Sequence, residues 1–520
     1  MAWTRRDRAE DLLLEGELDA SRRELAEARR WVDRMPPGVG ADRVRADVDL
    51  IRAETIRFAA PQIAVPLLDT VAATYRRLTL WVLLPSALRV QALASLQLGD
   101  TTSARRHLHE AIAVIEHQSA TFESPDRRVA FQETVEGVFD EMVRLELSAG
   151  RAVSALSYLE RSRLAAWKPP RRRARGRSVW SIPIAEVPRQ LADRTVLLDY
   201  AVLPDRVVIW VGSGGGWRHM SIPVTRDSIA RLANTARGEI GRDPAARGLA
   251  QQVLFQLLVA PVWGLVHAAD RVAIVPDREL FQVPFAALRD PTTGRRVIEH
   301  VEVATLPNAR LAVASPPHEK RVTAAIAVNA AASETATGRL PALPGAADEV
   351  RRIAKLYRDA MVLTEPDREQ LRRVLRTATV FHFAGHAVFD IDQPELSYLL
   401  VKSSAGAVEL QAREIAEMQL SNVQVAVLSA CSSLSARATR NGAVAGLAYS
   451  FLSAGVPATV STLWDVGDGS SVNLMVEFHR GLVHGLSPSA SLRQAQVRAL
   501  RSGEGEESWS AFIYSGPFID

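Results

Sequence analysis

The chain is 520 residues long, more than one hydrophobic core usually organises, so two or more domains are expected. Apolar residues make up 47% and charged residues 23% of the sequence, a composition that excludes a disordered or fibrous protein. The formal net charge is only +4, from 63 basic and 59 acidic residues, so composition does not favour nucleic-acid binding.

The sequence contains one cysteine, Cys431, which excludes an intramolecular disulfide and a zinc site of four thiolates. The N-terminal segment lacks the apolar core of about 7–15 residues that a secretory signal needs. The uncharged run 445–464 is long enough for a membrane span, but its glycines and Pro457 favour a buried helix followed by a buried strand. We therefore expect a cytoplasmic protein that contacts no membrane and carries no metal or other cofactor.

Residues 1–167 are predicted to form an all-helical domain, because apolar residues recur at steps of three and four and no strand pattern is present. Gly16, Gly99 and Gly150 each precede a segment with small and apolar residues on one helical face. These segments resemble the turns of tetratricopeptide repeats, although their spacing does not keep the period of about 34 residues. Degenerate, tetratricopeptide-like repeats and a plain helical bundle both remain open.

A basic linker is predicted over residues 168–190, with its prolines and arginines concentrated in residues 168–177. Adjacent prolines and a run of like charges do not sustain a packed element, so a solvated connector is the simplest interpretation. Contact with nucleic acid through residues 168–177, or processing after an arginine, is the alternative. Direct nucleic-acid binding is not expected elsewhere in the chain.

Residues 191–520 show short apolar runs that alternate with helical segments. TVLLDYAVL and DRVVIWVGS are predicted to be neighbouring strands, and glycines at 212–216 turn the chain rather than bind phosphate, since the Lys and Ser or Thr of a phosphate loop are missing. Further strands are predicted in RVAIVPD, TAAIAVNA, AMVLT, TVFHFAGH and VQVAVLSAC, with helices between the last four. This alternation predicts an α/β sandwich, a mostly parallel sheet with helices on both faces.

Two of these strands end in residues that can act together in catalysis. His386 ends TVFHFAGH, and Cys431 ends VQVAVLSAC 45 residues later. Caspases have a similar order, with the histidine about 50 residues before the cysteine. Active sites of open α/β sheets lie just beyond the carboxyl ends of strands, and an imidazole there can activate a thiol. Considered alone, however, the two residues also fit a core cysteine and a turn histidine.

An acyl-transfer site also needs donors for the negative charge that develops on the carbonyl oxygen. The backbone amides of Gly385, Ala387 and Cys431 are the candidates for this oxyanion hole, because they lie next to the two proposed catalytic side chains in the sequence. No side chain is required for this role.

From about residue 195 onward the chain resembles the CHAT family, caspase-like peptidase domains often fused to tetratricopeptide repeats. The matching segments keep the family's order: IVPDRELFQVPFAAL (274–288), TLPNA (305–309), LPGAADEV (343–350), FHFAGHAVFD (381–390), AVLSACSS (426–433), SFLSAGVPATVSTLWDVGD (450–468) and WSAFIYSG (509–516). The resemblance implies a caspase-like fold, with His386 as catalytic histidine and Cys431 as nucleophile. Ala387 departs from the glycine of many relatives, which keeps the amide but adds a methyl group beside the expected oxyanion hole.

Asp465 and Asp468 follow a strand that is expected beside the cysteine strand. Related caspase-like enzymes that cut after arginine use an acidic pocket, so the resemblance makes both aspartates candidates for the substrate pocket. The alternative is that they cap the helix beginning near Ser470, an interpretation that we favour for Asp468.

Three other residues near the proposed dyad need an interpretation. His382 lies four residues before His386, a spacing that suits metal ligands on a helix, but its apolar flanks predict a strand and a structural role. Asp390 and Asp392 are candidates to orient His386, with solvation of a loop as the alternative.

The predicted function is that of a caspase-like cysteine endopeptidase that cleaves specific partner proteins through a thioester at Cys431, with His386 as base and then acid. The resemblance implies a bacterial defence or regulated-death system, in which a protein partner activates the enzyme through residues 1–167. Two alternatives stay open: a non-catalytic scaffold with a silent dyad, and an adaptor whose peptidase domain is restrained until a complex forms.

Overall fold

The computed structural model describes residues 1–122, 125–166, 179–240, 248–313, 323–335, 338–390, 393–403, 406–430 and 446–519. The chain divides into two compact units, Met1–Ala166 and Trp167–Asp520. Cys431, Asp392 and the basic segment 168–177 lie outside the described residues, so what we predict for them stays a prediction.

The first unit is all-helical over its described residues, as predicted. Consecutive helices pack against each other, and the apolar faces of the third to seventh helices form one core that includes Leu68, Leu88 and Phe139. The helices are α1 Ala2–Leu14, α2 Leu18–Val32, α3 Val39–Ile56, α4 Pro61–Arg77, α5 Leu84–Gln97, α6 Thr101–Thr121, α7 Pro125–Ser148 and α8 Ala152–Ala166.

Glycines end three of these helices in the left-handed region of backbone space. Gly16, Gly99 and Gly150 have φ of 84°, 76° and 72°, and the next helix begins two residues after each of them. Other L-residues lose about 1–2 kcal/mol in this conformation, so the glycines favour a tight turn between paired helices. The similar sequence segments are therefore helix-to-helix turns, in keeping with tetratricopeptide-like repeats.

Replacing Gly150 with alanine is expected to lower the free energy of unfolding of the first unit by about 1–2 kcal/mol, through backbone strain alone. An added Cβ would have no atom within 4 Å. Gly40→Ala is the matched control, since Gly40 also has open space but lies inside α3 without a positive φ. Alanine there should be neutral or stabilising by up to about 1 kcal/mol. Chemical denaturation followed by far-UV circular dichroism measures both, and equal losses would contradict the argument.

The second unit begins earlier than the predicted domain. Residues 179–190 form two short 3₁₀ turns, Val179–Ser181 and Ile184–Gln190, instead of the second half of a linker. Ile184 and Val187 are buried, and the indole Nε1 of Trp217 donates to the Ile184 carbonyl at 2.7 Å. The linker prediction is therefore wrong for these residues, because their apolar side chains pack into the unit.

The strands of the second unit are short, as their sequence pattern predicts. They are β1 Thr195–Val202, β2 Val207–Ser213, β3 Gly216–Ile222, β4 Arg271–Val275, β5 Glu302–Thr305, β6 Ala324–Asn329, β7 Ser333–Thr335, β8 Gly338–Leu340, β9 Met361–Thr364, β10 Val380–Gly385, β11 Ala387–Val388, β12 Tyr398–Ser403, β13 Gly406–Gln411, β14 Val425–Ala430, β15 Ala458–Thr462 and β16 Phe512–Ser515.

Helices connect and cover these strands. They are α9 Arg226–Glu239, α10 Leu249–Leu258, α11 Trp263–His267, α12 Val297–His300, α13 Pro344–Ala354, α14 Arg368–Leu375, α15 Ala412–Ala416, α16 Leu447–Ser453, α17 Val472–Val483, α18 Pro488–Arg501 and α19 Glu506–Trp509.

One large sheet organises the unit, with the strand order β3-β2-β1-β4-β5-β16-β15-β14-β10-β6-β9 among the described residues. Its central strands β14, β10, β6 and β9 are parallel, whereas β1 to β3 form an antiparallel meander and β16 runs antiparallel to β15. The predicted mostly parallel sheet and the neighbouring first two strands are thus confirmed. β11, β12 and β13 form a separate small sheet.

Helices lie on both faces of the sheet around β10. On one face the ring of Phe381 stacks on Phe451 of α16, with ring centroids 5.8 Å apart. On the other face His382 contacts α13 and α17 through Glu349 and His479. The α/β sandwich is therefore confirmed, as is the buried helix and strand predicted for 445–464, which are α16 and β15.

One segment, Leu249–His267, is long and apolar enough to cross a membrane by length and composition. It is interrupted by a 3₁₀ turn between α10 and α11, and Leu254 and Phe255 belong to the core that β1 and β2 form with these helices. Because core helices share this composition, the run is weak evidence for a span.

Candidate active site

The two strands that carry the proposed dyad lie side by side. β10 and β14 are parallel neighbours, and Gly385 at the end of one is the register partner of Ala430 at the end of the other. Neighbouring strands lie about 4.8 Å apart. His386 and Cys431 follow these two partners directly in the sequence. The sheet register thus agrees with the geometry that a dyad at two strand ends requires.

The His386 ring is buried and is held by a backbone carbonyl. Its Nε2 lies 2.8 Å from the carbonyl oxygen of Pro341, and the residue as a whole is only 6% exposed. A carbonyl oxygen only accepts, so we assign the ring proton to Nε2, which leaves Nδ1 as the nitrogen that can take a proton. The His386 carbonyl accepts from the Leu400 amide at 3.0 Å, which anchors the backbone.

The residue that orients His386 was missed by sequence reasoning. The carbonyl oxygen of Pro341 is the hydrogen-bond partner of His386 Nε2. The Asp390 carboxylate instead accepts the Gln393 amide at 2.8 Å, within the loop that follows. Pro341 lies 45 residues before His386 and contributes only a backbone atom, so no side-chain pattern could reveal it.

The oxyanion-hole candidates lie in different surroundings. Gly385 is inside the ladder between Asn329 and Ala430, and a Cβ there would come within 2.8 Å of the Asn329 carbonyl. Ala387 begins β11 and pairs with Leu399 in the small sheet. The roles of the Gly385, Ala387 and Cys431 amides stay predictions.

A cavity opens at the carboxyl ends of β10, β14 and β15, next to these strand tips. It encloses about 420 Å³ of empty space, open solvent at its mouth included. Two acidic residues, Glu349 and Asp468, contribute to its wall. The other lining residues are Leu343, Ala346, Gly385, Ser429, Ala430, Thr462, Val466, Gly467, Gly469, Ser471 and Phe512.

The Asp468 carboxylate caps a helix, but not the one that the sequence suggests. Its two oxygens accept the Gly345 and Ala346 amides at 2.8 and 3.0 Å, at the start of α13. The cap predicted on the helix near Ser470 is therefore wrong, because the turn 467–469 lies against α13 in space. Asp465 is exposed and is not part of the cavity wall that the described residues form. The substrate-pocket role of both aspartates stays a prediction.

Asp468→Ala is expected to lower the free energy of unfolding by about 1–2 kcal/mol, because two amides at the start of α13 lose their acceptor. Asp468→Asn is the matched variant, since its side-chain oxygen remains as one acceptor for these amides. It should retain at least half of the capping energy. Urea denaturation measures the difference. Equal losses in the two variants would show that the cap contributes little.

A chain of hydrogen bonds leads from Tyr357, three residues after the end of α13, to the cavity. Tyr357 Oη lies 2.7 Å from His479 Nδ1, His479 Nε2 lies 3.1 Å from His382 Nδ1, and His382 Nε2 lies 3.0 Å from Glu349 Oε1. Ser471 Oγ donates to Glu349 Oε2 at 2.7 Å. Burial lowers the pKa of His479 well below its usual range, and the neighbouring His382 adds to the shift.

His382 therefore has the structural surroundings that its sequence predicts, inside a buried polar chain. No group of three His, Cys, Asp or Glu side chains within the described ranges is arranged to hold a metal ion. Glu349 was missed by sequence reasoning. The available signal was its position in α13, where it shares one buried face with Val350 and Ile353.

Comparisons with known proteins bear on the family and the fold. The model of the CHAT domain matches residues 249–517. Tetratricopeptide repeat protein 28 of Mus musculus is 25% identical over 324 residues, which are 51% of this chain and 13% of that protein. The chain thus spans only about an eighth of this relative's length.

Solved structures show a likeness of fold. The separase of the Saccharomyces cerevisiae separase-securin complex has a TM-score of 0.51 and 9% identity, over 100% of this chain and 47% of that one. The Arg-specific cysteine proteinase gingipain R has a TM-score of 0.35 and 11% identity, over 56% of this chain and 74% of that one. The likeness to separase, together with the CHAT domain match, shows a caspase-like fold related to that of cysteine peptidases. Because the CHAT domain model covers just over half of the 520 residues, the chain belongs to the CHAT domain family.

Proposed function

We propose that the protein is a cysteine endopeptidase in which His386 activates Cys431. The observation that carries the proposal is the register of β10 and β14, which makes Gly385 and Ala430 partners immediately before the two residues. The hydrogen bond from His386 to Pro341 adds support, since it leaves Nδ1 as the basic nitrogen.

The proposed reaction proceeds in two steps. His386 Nδ1 takes the thiol proton of Cys431 as the sulfur attacks the peptide carbonyl carbon, and the same proton is then given to the leaving amine. The acyl group remains on sulfur as a thioester. Water, deprotonated by His386, then attacks the thioester and releases the carboxyl product and the thiol. An imidazole can both accept and give up a proton near neutral pH, as these two transfers require.

We extend the proposal to the setting of the enzyme. The helical unit exposes large apolar side chains, among them Leu14 (82%), Phe58 (65%) and Ile63 (60%), which supports binding of a protein partner. The similar separase structure is a complex with securin, a precedent for a fold of this kind held by a protein. We propose a cytoplasmic enzyme that cleaves a few partner proteins, licensed through residues 1–167 in a bacterial defence or regulated-death system.

The test uses the single thiol of the chain. A peptide that ends in an electrophilic arginine group should label Cys431 rapidly, and mass spectrometry locates the adduct. We expect labelling to collapse in His386→Ala and to be unchanged in the control His484→Ala, since His484 is an exposed residue in the same unit. Slow labelling that does not depend on His386 would support the silent scaffold instead. Labelling that appears only with added cell extract from the native host would support the restrained adaptor.

A further inference from the structure

One segment of the chain, residues 341–349, contacts two histidines, His382 inside β10 and His386 directly after it. The carbonyl oxygen of Pro341, which follows β8, lies 2.8 Å from His386 Nε2. The carboxylate of Glu349, in the second turn of α13, lies 3.0 Å from His382 Nε2. Because one short segment makes both contacts, a shift of α13 against β10 changes both of them.

The contact between Glu349 and His382 is a buried ion pair, in which the Glu349 side chain is 1% and the His382 side chain 0% exposed. His382 Nδ1 lies 3.1 Å from His479 Nε2. Burial lowers the pKa of His479 well below its usual range, and the charge of His382 adds to the shift, so the His479 ring is neutral. The charged His382 ring therefore donates from both nitrogens, to the carboxylate and to His479. Hydrogen bonds on both sides hold the ion pair in one arrangement.

Ser471, at the start of α17, connects this ion pair to the strand that precedes Cys431. Its Oγ donates to the second carboxylate oxygen of Glu349 at 2.7 Å. The Oγ of Ser429 in β14 lies 3.5 Å from Ser471 Oγ, and Ser429 is two residues before Cys431 in the sequence. The Glu349 carboxylate thus lies where α13, β10 and the start of α17 meet.

We propose that Glu349 and His382 are positioning residues for the dyad. Their ion pair fixes α13 against β10, which keeps the Pro341 carbonyl on His386 Nε2. The ring of His386 then stays in the tautomer whose Nδ1 can accept a proton. The inference rests on the proposed function, since this orientation matters for catalysis only if His386 activates Cys431.

A double-mutant cycle with a small reagent tests whether the ion pair acts through His386. The rate at which iodoacetamide alkylates Cys431 at neutral pH measures activation of the thiol and does not require the substrate cavity. We expect Glu349→Gln, which removes the charge and keeps the shape, to lower this rate by about 10-fold. The loss should be smaller than in His386→Ala, because Asp468 still holds the first turn of α13.

In the His386→Ala background, Glu349→Gln should cause no further loss of alkylation, because the residue through which it acts is gone. An equal loss in both backgrounds, or no loss in the wild-type background, overturns the proposal. If Glu349→Gln does not fold, Ser471→Ala replaces it, since this variant removes one hydrogen bond to the carboxylate and keeps the ion pair. It should slow alkylation by about threefold, again only when His386 is present, and equal losses would contradict the proposal.

Phe451→Leu is the matched control for stability. Phe451 lies in α16, where its ring stacks on Phe381 on the opposite face of β10, so the variant loosens the same strand without touching α13. Thermal melts compare its stability with that of Glu349→Gln. Alkylation of Phe451→Leu should equal that of the wild type. A loss as large as in Glu349→Gln would trace the effect to general loosening of β10 and contradict the proposal.

NMR of nitrogen-labelled histidine rings separates this inference from the proposed catalysis. At mildly alkaline pH, where imidazoles are neutral, the signal that His386→Ala lacks should show one tautomer, protonated on Nε2. In Glu349→Gln it should show a mixture of tautomers. The same single tautomer in both proteins overturns the inference, whatever the alkylation shows. A mixture in Glu349→Gln, together with alkylation of Cys431 that does not depend on His386, supports the positioning and contradicts the proposed function alone.

Discussion

His386→Ala is expected to lower kcat/KM for an arginine peptide by about 10²- to 10⁴-fold, because the attacking thiol loses its base and the leaving amine its acid. The residual rate should rise with pH, because a thiol without a neighbouring base reacts through its thiolate. The measurement is the initial rate of cleavage across the range from about pH 6 to 9.

The control for this prediction is His484→Ala, an exposed histidine that should leave the rate unchanged. Thermal melts of the two variants establish that both remain folded. A rate in His386→Ala that stays within twofold of the wild type, with an unchanged pH profile, would remove His386 from the mechanism.

Gly345→Ala is expected to destabilise the second unit, because the start of α13 has no room for an added Cβ. An added Cβ would lie 2.5 Å from Gly469 Cα and 2.6 Å from Asp468 Oδ1, so α13 and the turn 467–469 must move apart. Overpacking of this kind costs about 1–3 kcal/mol, which lowers the Tm by roughly 2–4 °C for each kcal/mol in a large domain. The shift also separates two walls of the cavity, so kcat/KM for the arginine peptide should fall with it.

Gly214→Ala is the matched control, since an added Cβ at Gly214 has no atom within 4 Å. Its Tm and kcat/KM should equal those of the wild type. Differential scanning calorimetry and the arginine peptide assay measure the two effects. If Gly345→Ala melts at the wild-type temperature, the close approach of α13 to residues 467–469 is not maintained in solution.

The alternation of strands and helices in the second unit could be predicted because it depends on local periodicity. β10 and β14 are mostly apolar runs of six residues, each preceded by a helix, α14 or α15, and such alternation forms parallel sheets. The predicted dyad follows from the same rule, since parallel strands bring their carboxyl ends to one edge. Residues 179–190 were misjudged, because the neighbouring charge run hid the buried Ile184 and Val187.

The wall of the cavity could not be predicted in the same way. Asp468 and Gly345 are 123 residues apart, and their contact depends on where the turn after β15 meets the start of α13. Pro341 orients His386 through its backbone carbonyl oxygen, and every residue type has one, so the sequence does not indicate this role. Glu349 is an acidic residue by sequence, but its burial against His382 and Ser471 depends on neighbours far along the chain.

By itself the sequence determined the all-helical first region, the mostly parallel sheet and the two strands that precede His386 and Cys431 in the sequence, because these depend on periodicity and strand order along the chain. Only the tertiary structure decided which helix Asp468 caps, which atom orients His386 and which side chains hold the Glu349 carboxylate. Those outcomes depend on contacts between segments far apart in sequence, where packing selects one neighbour among many that local patterns allow equally.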